Sequence, residues 1–425
     1  MEKVDCAIIG AGFAGLTCAR ELLKRGLSVR ILEARDRIGG RVHTIRNPGQ
    51  RAPIELGAEF IHGNVPEIIR PLDSHGLGYY ALSDSHHFFE DGQLRLDNGF
   101  WDEVSSLSDR LDENRKTDRS VADFLAEQTA SVRAKAFFRS YVEGFQAADT
   151  RKMGERGLAE EQKNEQSRSF RSVDGYGALL ETYLRGDIKE SLRLNTIVRK
   201  IDWKKNIVTL HCGNILGNET IKLEAKTAVV TAPLGVLKTQ RIFIDPLPRG
   251  YLEKLETLQM GHTIRISFVF RHRLWEKLTN DRIGFIHAGP EFEFPTWWTQ
   301  DPLNTPMIVA WQGGPRAETL ALLSPSQRAS RALDTFCAIT KLPRMDVENE
   351  LVGYFSHDWS GDPFSLGGYS YAGVGFDSKT SLDDGFENTI VFAGEAMQSD
   401  ASRGTVQGAI ASGDRAARKI ISSSF

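Results

Sequence analysis

The chain has 425 residues, 26% of them charged, and a formal net charge of −3. That length can bury a large core and suggests two or three domains, and balanced charge without long runs of one sign excludes a nucleic-acid or anionic-membrane footprint. No apolar stretch reaches the roughly 20 residues that span a bilayer, and Cys6, Cys18, Cys212 and Cys337 have no metal-ligand spacing, so a soluble protein of a reducing cytoplasm without a metal is expected.

Only Met1 to Lys3 precede the first apolar run, Val4 to Ile9, so no signal peptide is expected. That run has the look of a buried parallel strand. Gly10, Gly12 and Gly15, with Phe13 and Ala14 between the last two, then form G-x-G-x-x-G. A helical pattern follows through Leu16, Ala19 and Leu23, and Ser28 to Leu32 supplies a second strand ending at Glu33. This is a dinucleotide-binding βαβ unit. Gly10 permits the tight turn, Gly12 admits the pyrophosphate, and Gly15 lets helix and strand pack closely. The helix N-terminus offers free N–H groups to the phosphates, and Glu33 is placed to accept from an adenosine ribose. Ala34, Arg35, Arg37, Gly39, Gly40 and Arg41 continue as A-R-D-R-I-G-G-R, which resembles the extended FAD fingerprint of flavin amine oxidases. That resemblance implies a further guanidinium on the pyrophosphate, with Arg41 the expected donor because arginine binds phosphate bidentately.

A polar loop at Pro48 and Gly49 leads to Ile54–Gly63, where Gly57 and Ala58 permit close backbone approach and Glu59 and His62 are polar residues able to face a cavity. Short strand patterns then flank Asp91-Gly92, a hairpin signal. His86 and His87, adjacent on a strand, are expected on opposite faces, which speaks against a shared metal. Residues Phe100 to Arg168 are charge-rich with helical periodicity and form an insertion in which Tyr141 to Thr150 carries no decipherable chemistry. Leu194 to Cys212 reads as two strands joined by a turn, and Ala228 onward as a buried strand stopped by Pro233. A second excursion, Asp245 to Ser356, is rich in tryptophan, for most of which core packing is expected. At the end, Ile390 to Gly394 is a buried strand followed by Glu395. Val406, Ala409, Ile410, Gly413 and Ile420 then mark a closing helix that begins near Gly404.

The arginine loop, Ile54–Gly63, Ala228–Leu237 and both chain ends together resemble the flavin-containing amine oxidase family: monoamine oxidases, polyamine oxidases and the catalytic domain of histone lysine demethylases. The resemblance implies an α/β fold with a Rossmann-like FAD-binding domain (1–78, 171–244 and 357–425) interrupted by a mixed α+β substrate domain (79–170 and 245–356). It implies FAD and oxidation of an amine C–N bond to an imine, with O2 taking the electrons and giving peroxide. The expected partners are a small amine and O2, with no nucleic acid or membrane, in a monomer or homodimer. Gly57, Ala58, Glu59 and Phe60 would run beneath the flavin, Val198 would meet the adenine, and Trp359 and Phe364 would stand near the ring. Gly394, Glu395, Gly404, Thr405 and Val406 would form the pyrimidine end, where the closing helix's dipole favours negative charge.

Three departures from the family pattern stand out. Arg265 occupies the position of the family's lysine, and as a permanent cation it cannot act as a base; its side chain either faces the flavin or turns away into a surface ion pair. Gly368 replaces the cysteine through which some members attach FAD, so attachment should be non-covalent. Tyr369 matches the first of two flavin-facing tyrosines, but Thr405 stands at the second. Arg265, Tyr369 and Thr405 are thus the catalytic candidates. The alternatives are a dehydrogenase or C–C desaturase of the same fold acting on a lipophilic substrate, and a flavoprotein without turnover.

Overall fold

The computed structural model describes residues 1–46, 52–96, 99–163, 168–217, 219–377, 382, 385–398 and 402–423; Pro48 and Gly49 lie outside them. The first strand, Glu2–Ile9, pairs in parallel with Val29–Leu32 on one side and with Glu219–Val230 on the other. Ile390–Phe392 joins Glu219–Val230 in parallel, the antiparallel pair Ile207–Gly213 and Ile197–Lys204 extends the sheet, and the short edge strands Leu192–Arg193 and Phe243–Asp245 complete eight. Both faces are covered, as continuous apolar strands require. One face carries the first helix, Phe13–Leu23, and the closing helix, Val406–Ser423. These helices touch backbone to backbone. A methyl added at Gly413 would lie 2.2 Å from the Ala14 carbonyl, and one at Gly15 would lie 2.1 Å from that of Gly10. The two ends of the chain therefore meet at one place, the glycine turn after the first strand.

A second, seven-stranded sheet runs Leu351–Phe355, Thr263–Phe270, Met307–Gly313, Thr296–Thr299, Phe285–Ala288, His86–Glu90, Gln93–Arg95. Its apolar face packs on the helix Pro325–Thr340, which a Ser324/Gln327 capping box starts. Strand Thr263–Phe270 is buried throughout. Its even positions Ile264, Ile266 and Phe268 enter that core, so the period of two turns Thr263 and Arg265 to the other face. Four helices, Phe100–Ser108, Val121–Glu127, Val132–Phe145 and Glu155–Lys163, form the insertion. The hairpin forms at Asp91-Gly92, both with positive φ.

Candidate active site

The two sheets enclose a cavity of ≈ 2270 Å³. Every cofactor and catalytic candidate above lines it except Gly15, whose contact with Gly10 is helix-to-strand packing. At the turn, Gly10 has φ +107° and a methyl there would strike Thr231 Oγ1 at 2.5 Å, so only glycine fits. At Gly12 the nearest obstacle to a methyl is 3.8 Å away, which leaves the backbone open to a ligand. No side chain caps the first helix at Gly12, so its first N–H groups face the cavity. Glu33 is buried at the strand end, and its oxygens accept from the Ala11 N–H (2.7 Å) and the Arg35 N–H (3.0 Å). Glu33 thus fastens the glycine turn to the next strand as well as presenting a carboxylate.

Carboxylates from the end of the chain hold the arginine loop in place. Arg35 Nη2 donates to both oxygens of Asp362 at 2.9 Å, and its guanidinium lies 5.4 Å over Phe364. Burial would raise the Asp362 carboxyl, but His357 and Arg35 hold it well below the usual range. Arg41 Nη1 donates to Glu395 Oε1 (2.6 Å) and to the Gly368 carbonyl (2.9 Å). Glu395 Oε2 accepts from the Ser370 hydroxyl (2.6 Å) and the Gly404 N–H (3.1 Å). One buried carboxylate therefore ties the first fifty residues to the last thirty. Thr405 lines the cavity, but its hydroxyl accepts from the Gly408 N–H at 3.0 Å and so caps the closing helix.

Arg265 does not turn away into a surface ion pair; its partner is buried. Its side chain is 4% exposed, lies at the cavity wall, and pairs through Nη2 with Glu59 Oε2 at 2.9 Å. Nη1 donates to the Gly57 carbonyl at 3.2 Å, and the guanidinium sits 5.6 Å from the Trp298 ring centre. Glu59 also pairs with Arg171 at 2.9 Å and accepts from Trp298 and Gln300. Burial alone would raise Glu59, yet Arg171 and then Arg265 hold it below the ordinary carboxylate range. One carboxylate is thus shared by two buried guanidinium groups beneath Gly57, and the nearby Glu55 carboxyl is raised by burial to about 7.

Beside it stands an aromatic wall, with Trp311 registered against Arg265 on the adjacent strand. The Tyr369 hydroxyl donates to the Phe145 carbonyl at 2.6 Å, and its ring runs nearly parallel to Trp311 at 6.5 Å. Burial and then the Glu161 carboxyl push the Tyr369 phenol well above its usual value. Glu161 itself lines the cavity and is raised by burial to about 7, against the pull of Arg403. Burial lowers His62, also on the wall, to about 4. Sequence reasoning missed Glu161, Arg171, Trp298 and Trp311. Trp275 and Trp297 are core residues as expected, but Trp298 and Trp311 are cavity walls. Among the described residues no group of three acidic, histidine or cysteine side chains could hold a metal, and no helix is long and apolar enough to cross a membrane. All four cysteines are free.

A helix N-terminus over a glycine turn, a carboxylate at the next strand end and a second helix closing the far side of the cavity define a dinucleotide-binding oxidoreductase. The family model for flavin containing amine oxidoreductases matches residues 13–421, and the chain belongs to that family. It is 26% identical to "Lysine-specific histone demethylase 1 homolog 2" of Oryza sativa subsp. japonica over 98% of this chain and 57% of that protein, so it spans little more than half of that relative. It is 28% identical to "Polyamine oxidase 2" of Arabidopsis thaliana over 96% of this chain and 86% of that one. The fold is that of a putrescine oxidase bound to putrescine (TM-score 0.82, 20% identity) and of the cyclohexylamine oxidase from Brevibacterium oxydans (0.82, 20%), each covering 99% of both chains. A flavin is the family's cofactor, and the open turn at Gly12 with the buried acid at Glu33 fits an FAD.

Proposed function

We propose that this chain binds FAD non-covalently and oxidises the C–N bond of a small amine to an imine, with O2 as electron acceptor and H2O2 as product. The observation that carries this reading is a single cavity that joins a dinucleotide cradle to an aromatic wall bearing a carboxyl group, Glu161. The cofactor supplies the acceptor for the hydride equivalent; the protein binds, orients and excludes water. Gly12 and the first helix hold the pyrophosphate, Glu33 the ribose and Val198 the adenine. Glu395 fixes Arg41, the extra donor to the phosphates, and Gly404 at the pyrimidine end. Tyr369 and Trp311 confine the amine, with Thr405 as the smaller opposing wall. The discontinuous segments 1–78, 171–244 and 357–425 make the FAD domain, and 79–170 and 245–356 the substrate domain. We place the protein in the cytoplasm, where free thiols persist. Anaerobic mixing with a panel of amines tests the reading: one or more should bleach the flavin absorbance, and bleaching by none would defeat it.

Non-covalent attachment has a physical ground at Gly368, where a β-carbon would meet Thr263 Oγ1 at 2.6 Å. A cysteine has no room there. Acid denaturation should therefore release all yellow colour into the supernatant, and colour kept by the precipitate would contradict it.

Glu161 makes the amine site pH-dependent. Its carboxyl is neutral below about 7 and ionised above, and the ionised form attracts an ammonium. KM for a cationic amine should fall as pH rises through that region. Glu161→Gln should flatten this step while FAD content stays constant. A KM profile unchanged by the substitution would remove Glu161 from the amine site.

A further inference from the structure

The cavity wall away from the nucleotide cradle is built on two parallel strands, with Phe285 registered against His86 and His287 against Phe88. Alternate side chains share a sheet face, so these four rings line the cavity while His87 is buried on the other side. His86 Nδ1 lies 2.9 Å from His287 Nε2, and the two ring planes differ by 6° with centroids 5.2 Å apart. Stacked faces keep their atoms about 3.5 Å or more apart. A 2.9 Å nitrogen contact between parallel planes therefore sets the two imidazoles edge to edge as one flat plate. Phe285 backs His86 at 4.6 Å and Phe88 backs His287 at 4.9 Å.

Burial keeps the plate uncharged: it lowers His287 to about 3, with His86 adding to the effect, and it lowers His86 against the pull of Asp84. A neutral pair joined by one N–H···N bond leaves one outer nitrogen protonated and the other with a free lone pair. The Asp84 carboxylate, 3.7 Å from His86 Nε2, favours the proton on that nitrogen. His287 then donates to His86, and His287 Nδ1 is left as an acceptor. An uncharged hydroxyl or ring N–H meets that lone pair without the cost of desolvating a cation. From the plate, cavity-lining ring contacts run through Trp101 (5.5 Å from His86) and Tyr141 to Phe145, whose backbone carbonyl accepts from the Tyr369 hydroxyl. An extended molecule can span this corridor.

We propose that the His86–His287 plate receives the far end of the amine, and that this end is a flat, uncharged ring carrying a hydroxyl or N–H donor. The proposal rests on the amine-oxidase reading above. Its test compares, on the flavin-loaded protein, matched arylalkylamines with and without a ring hydroxyl and an aliphatic diamine of similar length. The hydroxylated ring should exceed the bare ring in kcat/KM by at least about tenfold, chiefly through KM, because a site built to bond a polar group rejects the analogue lacking it. His287→Phe should erase that ratio, and His287→Gln, which keeps an acceptor, should retain part of it, with bound FAD measured as the folding check. Equal kcat/KM for the two rings, or preference for the diamine, overturns the proposal without needing any variant. If no amine bleaches the flavin, the amine-oxidase reading fails separately. Perturbation of the oxidised flavin spectrum then decides the subsite, and a Kd for the hydroxylated compound no tighter than for the bare ring overturns it.

Discussion

Glu59→Gln is expected to cost about 3–5 kcal/mol of stability, the range for breaking a buried ion pair by removing one partner. Arg171 and Arg265 are 3% and 4% exposed, and both point their charge at this one carboxylate. With glutamine there, both guanidinium groups lose their paired carboxylate, and the remaining acid coupled to Arg265, Glu55, is itself raised by burial to about 7. Neutralising Arg171 as well should return much of the loss, since Arg171→Gln in the Glu59→Gln background removes one of the stranded charges. The sign with pH is also set. A carboxyl held below its unfolded value contributes stability that is fully present above the ordinary carboxylate range and is lost as pH falls through the folded value. The wild type should therefore lose this contribution on acidification, and Glu59→Gln should lack that part of the acid sensitivity. Thermal melts of both variants at neutral and acid pH measure it. A Glu59→Gln melt that overlays the wild type would show that the cluster does not hold the wall.

The ends of the chain were legible because their chemistry is local. The spacing of Gly10, Gly12 and Gly15 encodes a turn, a ligand approach and a packing contact within six residues, and Glu33 follows at the end of the next strand. What the sequence concealed depends on pairing across the fold. Glu59 reaches Arg171 and Arg265 through three separate strands and loops, and nothing near any of the three announces the others. The plate of His86 and His287 exists only because two distant strands lie side by side. Two signals were present and undervalued. Thr405 directly before a helical pattern is an N-cap position, and its hydroxyl serves as one. Trp297 and Trp298 are adjacent on a strand, so they must face opposite sides. Only one of them could join the core.

Arg265→Met should slow flavin bleaching or reoxidation by at least about tenfold, or roughly 1.4 kcal/mol of barrier. The guanidinium is fixed at three points, the Gly57 carbonyl, Glu59 and the Trp298 face, and it lines the cavity beside Gly57 and Ala58, where the proposed flavin would lie. A fixed charge needs no reorganisation as electron density arrives, which is the most effective form of electrostatic stabilisation. Removing it leaves Glu59 and Arg171 as a balanced pair, so Arg265→Met should be less destabilising than Glu59→Gln. That difference separates an effect on rate from general damage to the wall. Arg265→Lys restores the charge and should recover much of the reoxidation rate, but a single ammonium cannot reproduce the planar fork that reaches both Gly57 and Glu59. Stopped-flow traces for reduction by amine and reoxidation by O2, recorded separately, make the measurement. Traces for both variants that overlay the wild type in each half-reaction would confine Arg265 to the role of a structural counter-ion for Glu59.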